Sequence, residues 1–164
     1  MKKIGIFYGS TTGTTESVAE QIASHLGVGS SEVYNVGNTD AKVAEEYELL
    51  ILGSSTWGSG ELQDDFLEQL AGKNLSGKKI ALFGCGDAMS FGSTFCDAVG
   101  IIYEKLQGTG ATFIGTADPS DYTYDASTAE IDGQLVGLLI DENNEADKTE
   151  LRIQNWTDAL KKEI

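Results

Sequence analysis

Basic residues are scarce in this chain. Only 11 Lys and Arg stand against 26 Asp and Glu, which leaves a formal net charge of −15. A surface of that charge repels the phosphate backbone of nucleic acid and the anionic face of a membrane, so we exclude both as partners. Any protein partner is instead expected to present a basic face.

Cysteine and long apolar runs are equally scarce. The two cysteines, Cys85 and Cys96, lack the spacing of a metal site, and a disulfide between them is not favoured. The apolar run that ends at Tyr8 is too short for a signal peptide, and no other run approaches a membrane span. We therefore expect a cytoplasmic protein without a metal site.

Proline occurs only once in the chain. Strand and helix patterns alternate from one end of the sequence to the other. Such alternation predicts an α/β fold: a three-layer, doubly wound sheet of five parallel strands in the order 2-1-3-4-5. Its ligand crevice is expected at the carboxyl ends of strands one and three. The predicted strands are Lys3–Tyr8, Glu32–Val36, Tyr47–Leu52, Lys79–Phe83 and Ala111–Gly115. The predicted helices cover about 14–26, 62–70, 93–106 and 148–162.

One stretch, from Ala117 to about Asn144, interrupts this alternation. It is acidic, yet it contains a second apolar run, Leu135–Ile140, whose side chains need burial. We interpret the stretch as a loop insertion that splits the last strand into two pieces. The whole chain, residues 1–164, is expected to form one domain.

Hydroxyl-bearing residues surround a glycine directly after the first strand, in the order Ser10, Thr11, Thr12, Gly13, Thr14, Thr15. A helix begins there, and its free N–H groups and positive dipole end can bind a phosphate. No Lys or Arg lies in this loop, so it is not the loop of a nucleoside triphosphatase. The alternative is that Thr14 or Thr15 simply caps the helix.

Two further loops carry aromatic side chains at the same predicted edge of the sheet. After strand three, Trp57 lies among small residues, where a large ring can cover a flat heterocycle or, alternatively, pack on the next helix. After strand four, a glycine-rich turn precedes Phe91; the alternative is a turn with a half-buried Phe. The residues of these loops are Ser55, Thr56, Trp57, Gly58, Ser59 and Gly60, then Cys85, Gly86, Asp87 and Phe91.

Together these loops resemble those of the flavodoxin family. The 10–15 segment is similar to the family's FMN-phosphate loop, the 56–62 segment to the loop whose Trp covers one flavin face, and Cys85-Gly86-Asp87 with Phe91 to the loop covering the other face. The acidic insertion resembles that of the long-chain subgroup, and Asp147 matches a family acid near the ribityl and phosphate. The family usually has Tyr where this chain has Phe91.

The resemblance implies non-covalent FMN binding and a low-potential, one-electron carrier that uses the neutral semiquinone and the hydroquinone. It places the Gly58–Ser59 peptide at the flavin N5. It implies a monomer without substrate turnover and partners such as ferredoxin–NADP reductase, pyruvate oxidoreductase or nitrogenase.

Charge placement agrees with a carrier, because the predicted fold separates acids from lysines. We expect the acids at the flavin edge, where they would steer the protein toward basic partners. The alternative is that the lysines only complement helix C-termini. The acids are Glu61, Asp64, Asp65, Asp87, Asp118, Asp121 and Asp125; the lysines at the opposite edge are Lys2, Lys3, Lys73, Lys78, Lys79, Lys105, Lys161 and Lys162.

Two other functions are alternatives to a carrier. A phosphoacceptor receiver domain needs acids after strand one and an Asp at the end of strand three, but these places hold Gly9-Ser10 and Gly53-Ser54-Ser55. An FMN-dependent quinone or NAD(P)H reductase needs a second substrate pocket, and no set of residues points to one. A nicotinamide-oxidation assay separates the reductase from the carrier.

Overall fold

The computed structural model describes residues 2–9, 14–36, 39–55, 64–85, 97–116, 130–131, 134–140 and 146–163. Strands and helices alternate along them as expected. The strands are β1 Lys2–Tyr8, β2 Val33–Asn35, β3 Tyr47–Ser55, β4 Lys79–Cys85, β5 Thr112–Ile114, β6 Glu130–Ile131, β7 Gln134–Leu135 and β8 Gly137–Ile140. The helices are α1 Thr14–Leu26, α2 Asp64–Ala71, α3 Asp97–Lys105 and α4 Ala146–Lys161.

The main sheet has the order β2-β1-β3-β4-β5, and its neighbouring strands are parallel. This confirms the predicted fold class. The central strands form because their residues are apolar without interruption: Leu49 to Leu52 of β3 and Ile80 to Phe83 of β4 are all at most 2 % exposed. Such runs suit parallel strands that are covered on both faces.

The fifth position of the sheet is shared by two strands. β5 pairs with Lys79–Ala81 of β4, and β8 pairs with Leu82–Cys85 of the same strand. The chain between them therefore interrupts what would otherwise be one strand, which confirms the predicted split. The antiparallel β6–β7 pair lies within this insertion and was not predicted.

Helices cover both faces of the sheet, which makes three layers. On one face, α1 and α4 pack against each other and on the sheet, with Ile22 of α1 and Ile153 of α4 fully buried. On the other face, Leu70 of α2 and Ile102 of α3 belong to the second core cluster. The alternation of strand side chains between these two clusters follows from the period of two in a strand.

The last helix, α4, is hydrogen-bonded to the residue that follows β5. Trp156 is 4 % exposed, as expected for a core residue, and its Nε1 donates a hydrogen bond of 2.7 Å to the Gly115 carbonyl. The Gly115 N–H in turn donates to Glu163 Oε2 at 2.9 Å. Gly115 has φ +80, a conformation that favours glycine, so this junction depends on the residue type.

Several details differ from the sequence-based expectation, among them a 3-10 helix and the ends of two central strands. A 3-10 helix spans Ala41–Glu46, where no element was predicted; the Asp40 side chain caps it by accepting from the Lys42 N–H. β3 and β4 continue to Ser55 and Cys85, beyond the predicted ends at Leu52 and Phe83.

None of the described helices is long and apolar enough to cross a bilayer.

Candidate functional site

The carboxyl ends of four strands meet at one edge of the sheet. Tyr8 of β1 is in register with Gly53 of β3, and the Gly9 N–H donates to the Gly53 carbonyl at 3.0 Å. Cys85, the last residue of β4, is in register with both Ser55 of β3 and Ile140 of β8. Since neighbouring strands lie about 5 Å apart, the loops that leave them begin side by side.

This edge is also where the order of the strands reverses. From β1 the chain passes through α1 to β2 on one side, and then returns to β3 on the other side of β1. Such a reversal leaves a crevice at the carboxyl ends of the two strands that flank it, which is where ligands bind in open α/β sheets. The predicted location of the site is therefore the one that the topology provides.

Five of the predicted site residues belong to described elements. Thr14 begins α1, Ser55 ends β3 and Cys85 ends β4, so all three lie at this edge. Asp147 is exposed in the first turn of α4, and Thr15 is buried at the second position of α1. The other predicted residues lie outside the described residues, and their roles stay predictions: Ser10, Thr11, Thr12, Gly13, Thr56, Trp57, Gly58, Ser59, Gly60, Gly86, Asp87 and Phe91.

Thr15 carries the most direct sign of a ligand. Its side chain is fully buried, and its Oγ1 makes no hydrogen bond with any residue that the structure describes. Thr15 is therefore not the helix cap; the alternative interpretation, in which Thr14 or Thr15 caps the helix, is left with Thr14. A buried hydroxyl without a partner costs free energy, and this one lies at the N-terminus of a helix, where the dipole attracts anions. The residues at this point fit a phosphate group.

A groove between α1 and the edge of the sheet adds negative charge near the site. It has a volume of about 300 Å³ and is lined by Tyr8, Glu16 and Glu20, among other residues. Tyr8 is buried at the end of β1, and Glu16 lines the same groove. Burial first and the Glu16 charge second raise the pKa of Tyr8 above its ordinary value. The sequence pattern alone does not single out this tyrosine, because it lies within an otherwise apolar strand.

The lysines lie at the opposite edge, as predicted. Lys2 begins β1, Lys79 begins β4, Lys105 ends α3 and Lys161 ends α4. Of the acids expected at the carboxyl edge, Asp64 and Asp65 begin α2; Glu61, Asp87, Asp118, Asp121 and Asp125 lie outside the described residues. Within the described part of the chain, no group of three His, Cys, Asp or Glu residues could hold a metal ion.

Comparison with known proteins decides the family. The family model described as flavodoxin matches residues 6–156. The chain belongs to the flavodoxin family. It is 44 % identical to the flavodoxin of Buchnera aphidicola, with 98 % of this chain and 96 % of that one covered, and 42 % identical to flavodoxin 1 of Azotobacter vinelandii, with 100 % and 98 % covered.

Solved flavodoxins share the fold closely. The flavodoxin of Fusobacterium nucleatum, solved bound to flavin mononucleotide, superposes with a TM-score of 0.89 at 31 % identity and covers 100 % of this chain and 99 % of its own. Oxidised flavodoxin 2 of Bacillus cereus superposes with a TM-score of 0.74 at 31 % identity, covering 99 % of each chain. Membership of the flavodoxin family confirms the resemblance, while assignment to the long-chain subgroup stays a prediction.

Proposed function

We propose that this flavodoxin binds one FMN non-covalently and carries single electrons between redox enzymes. The observation that carries the proposal is the unpartnered, fully buried hydroxyl of Thr15, at the start of α1 and beside the converging ends of β1, β3 and β4. Two further facts support it: the family match, and the flavin mononucleotide bound to the Fusobacterium relative.

The phosphate end of the cofactor would be held by neutral donors. The amides at the start of α1 and the hydroxyls of residues 10–15 can donate to phosphate oxygens, and no Lys or Arg lies in that segment. Neutral donors and a helix dipole hold a dianion without adding full positive charge near the flavin. Positive charge would raise the reduction potential, because each electron added to the flavin increases its negative charge.

The flavin end would be enclosed by the loops that follow β3 and β4. We assign Trp57 and Phe91 to the two faces of the ring, where they exclude water, and the Gly58–Ser59 peptide to the N5 edge. When bound, FMN supplies the redox chemistry; the protein sets the potential through its surroundings. Glu16 and Glu20 of α1 add negative charge near the site, and this charge favours a low reduction potential of the flavin.

The partners that we propose are redox proteins with basic faces, such as ferredoxin–NADP reductase or pyruvate oxidoreductase. We propose that this chain binds them as a monomer in the cytoplasm. The net charge of −15 and the lysines at the edge opposite the site support an orientation in which the acidic edge approaches the partner. We propose no substrate turnover by this chain itself.

The test is a titration of the apoprotein with FMN, followed by an assay for NADH and NADPH oxidation. The proposal predicts saturation at one FMN per chain and no nicotinamide oxidation beyond that of free FMN. Failure to bind FMN would contradict the cofactor assignment. Saturable oxidation of a nicotinamide by the loaded protein would instead favour the reductase.

A further inference from the structure

A second buried hydroxyl near the site lacks a hydrogen-bond partner in the part of the chain that the structure describes. Thr149, the fourth residue of α4, is 4 % exposed, and its Oγ1 makes no hydrogen bond with any described residue. Thr149 is not among the site residues predicted from the sequence.

Thr15 and Thr149 lie at the same end of two neighbouring helices. α1 follows β1 and α4 follows β8; both strands run in the same direction in the sheet, so both helices begin at its carboxyl edge. The two helices pack against each other on one face. Thr15 precedes Val18 and Ile22 on the buried stripe of α1, and Thr149 precedes Ile153 and Trp156 on that of α4. Each threonine is therefore the first residue of the buried stripe of its helix, and it lies at the edge where the strands converge.

Buried threonines far from this edge are satisfied. The Thr157 hydroxyl, two turns further along α4, donates to the Ile153 carbonyl at 2.8 Å. The Thr109 hydroxyl, after α3, donates to the Leu106 carbonyl at 2.7 Å. Folded proteins leave few buried polar groups unpaired. Two unpaired hydroxyls at one end of adjacent helices therefore point to a ligand that both can reach.

We propose that Thr149 donates a hydrogen bond to the same phosphate monoester as Thr15, so that the phosphate is held between the N-termini of α1 and α4. The inference rests on the proposed function and adds a second helix to the predicted phosphate loop. A dianion suits the place, because the positive dipole ends of both helices face the carboxyl edge and each hydroxyl can donate one hydrogen bond.

The test compares three ligands on the apoprotein: FMN, riboflavin, which lacks the phosphate, and inorganic phosphate. Thr149→Val removes the hydroxyl and keeps the shape. Losing one hydrogen bond to a charged group is expected to weaken FMN and inorganic phosphate roughly 10- to 100-fold and to leave riboflavin unchanged. Thr157→Val, a matched buried threonine on the same helix, should leave the affinities for all three ligands unchanged. Thr149→Ser, which keeps the hydroxyl, should restore FMN affinity.

A stability measurement separates binding from structure. Because no described residue pairs with the Thr149 hydroxyl, Thr149→Val apoprotein should unfold at the same denaturant concentration as wild type or a higher one. If the valine variant does not fold, the FMN-to-riboflavin affinity ratio of Thr149→Ala serves as the readout. Equal weakening of FMN and riboflavin in either variant would overturn the inference, as would an unchanged FMN affinity. Wild-type apoprotein that binds no FMN would overturn the proposed function as well.

Discussion

The ring of Phe83 in β4 occupies the space that a side chain on Gly53 of β3 would need. A Cβ built on Gly53 would lie less than 3.0 Å from three atoms of that ring. The two residues are in register in adjacent strands, two residues before β3 ends at Ser55. The glycine therefore allows a large, fully buried ring to fill the core directly beneath the site.

Gly53→Ala is accordingly predicted to destabilise the protein by about 1–3 kcal/mol, because the new methyl group must displace a packed aromatic ring. In an open position the same change would be neutral or stabilising, since alanine is less flexible than glycine when unfolded. Urea unfolding of the apoprotein measures the difference. Gly108→Ala is the control: nothing lies within 4 Å of its Cβ position, and we expect a change within about 0.5 kcal/mol. Equal effects of the two substitutions would show that the ring does not restrict Gly53.

A second prediction concerns stability at alkaline pH. The Tyr47 hydroxyl donates to Glu32 Oε2 and lies 2.6 Å from the Tyr34 hydroxyl. Burial, and then the hydrogen bond to Glu32, raise the pKa of Tyr47 well above its ordinary value of about 10. The folded state then keeps a proton that the unfolded chain releases, so this contribution to stability is complete below pH 10 and is lost as pH rises further.

Tyr47→Phe removes that loss. Between pH 10 and 11 the free energy of unfolding of wild type should fall by up to about 1.4 kcal/mol more than that of the variant. The reason is that folded wild type retains the Tyr47 proton, which the unfolded chain releases. Urea unfolding at pH 8, 10 and 11 gives the two curves. Parallel curves for wild type and variant above pH 10 would contradict the assignment of a raised pKa to Tyr47.

The junction between α4 and β5 gives a third prediction. Trp156→Phe removes the indole donor and leaves the Gly115 carbonyl without the 2.7 Å hydrogen bond it now accepts. The expected cost is about 1–3 kcal/mol of unfolding free energy. Leu151→Ala is the control on the same helix, since that side chain is 60 % exposed and should matter little. A similar loss in both variants would argue against a specific role for the Trp156 hydrogen bond.

If the acidic edge steers association with a basic partner, the position of a charge should affect the association rate more than the net charge does. Glu20 lies at the midpoint of α1 and is therefore nearer the carboxyl edge than Glu104, which is next to the last residue of α3 at the amino edge. Glu20→Lys and Glu104→Lys change the net charge equally. We expect only Glu20→Lys to slow association with a basic reductase, about tenfold at low salt and less at high salt. Stopped-flow kinetics across a salt series measures this, and equal slowing in both variants would contradict steering.

The strands and helices were predictable because their residues follow simple periods. α1 begins and ends at the predicted residues, since Val18, Ala19, Ile22 and Ala23 repeat at helical spacing. The extension of β3 was not predictable locally, because Gly53, Ser54 and Ser55 have little strand preference. They become strand through pairing with Phe83–Cys85 of β4, a contact that forms only in the folded sheet.

The site was predictable in its place but not in all its members. Hydroxyl and aromatic residues after successive strands indicated the carboxyl edge, and the topology brings those strand ends together. Thr149 escaped notice because a threonine in a helix is ordinarily unremarkable. Its importance appears only when α4 is seen beside α1, with both hydroxyls buried and unpartnered.

Stepwise anaerobic reduction of the reconstituted protein is the most direct test of one-electron transport on bound FMN. Absorption spectra recorded at each potential should show two separate one-electron steps, with a long-wavelength band that rises and then falls and a second step at low potential. Reduction in a single two-electron step, with no such band at any potential, would contradict the account.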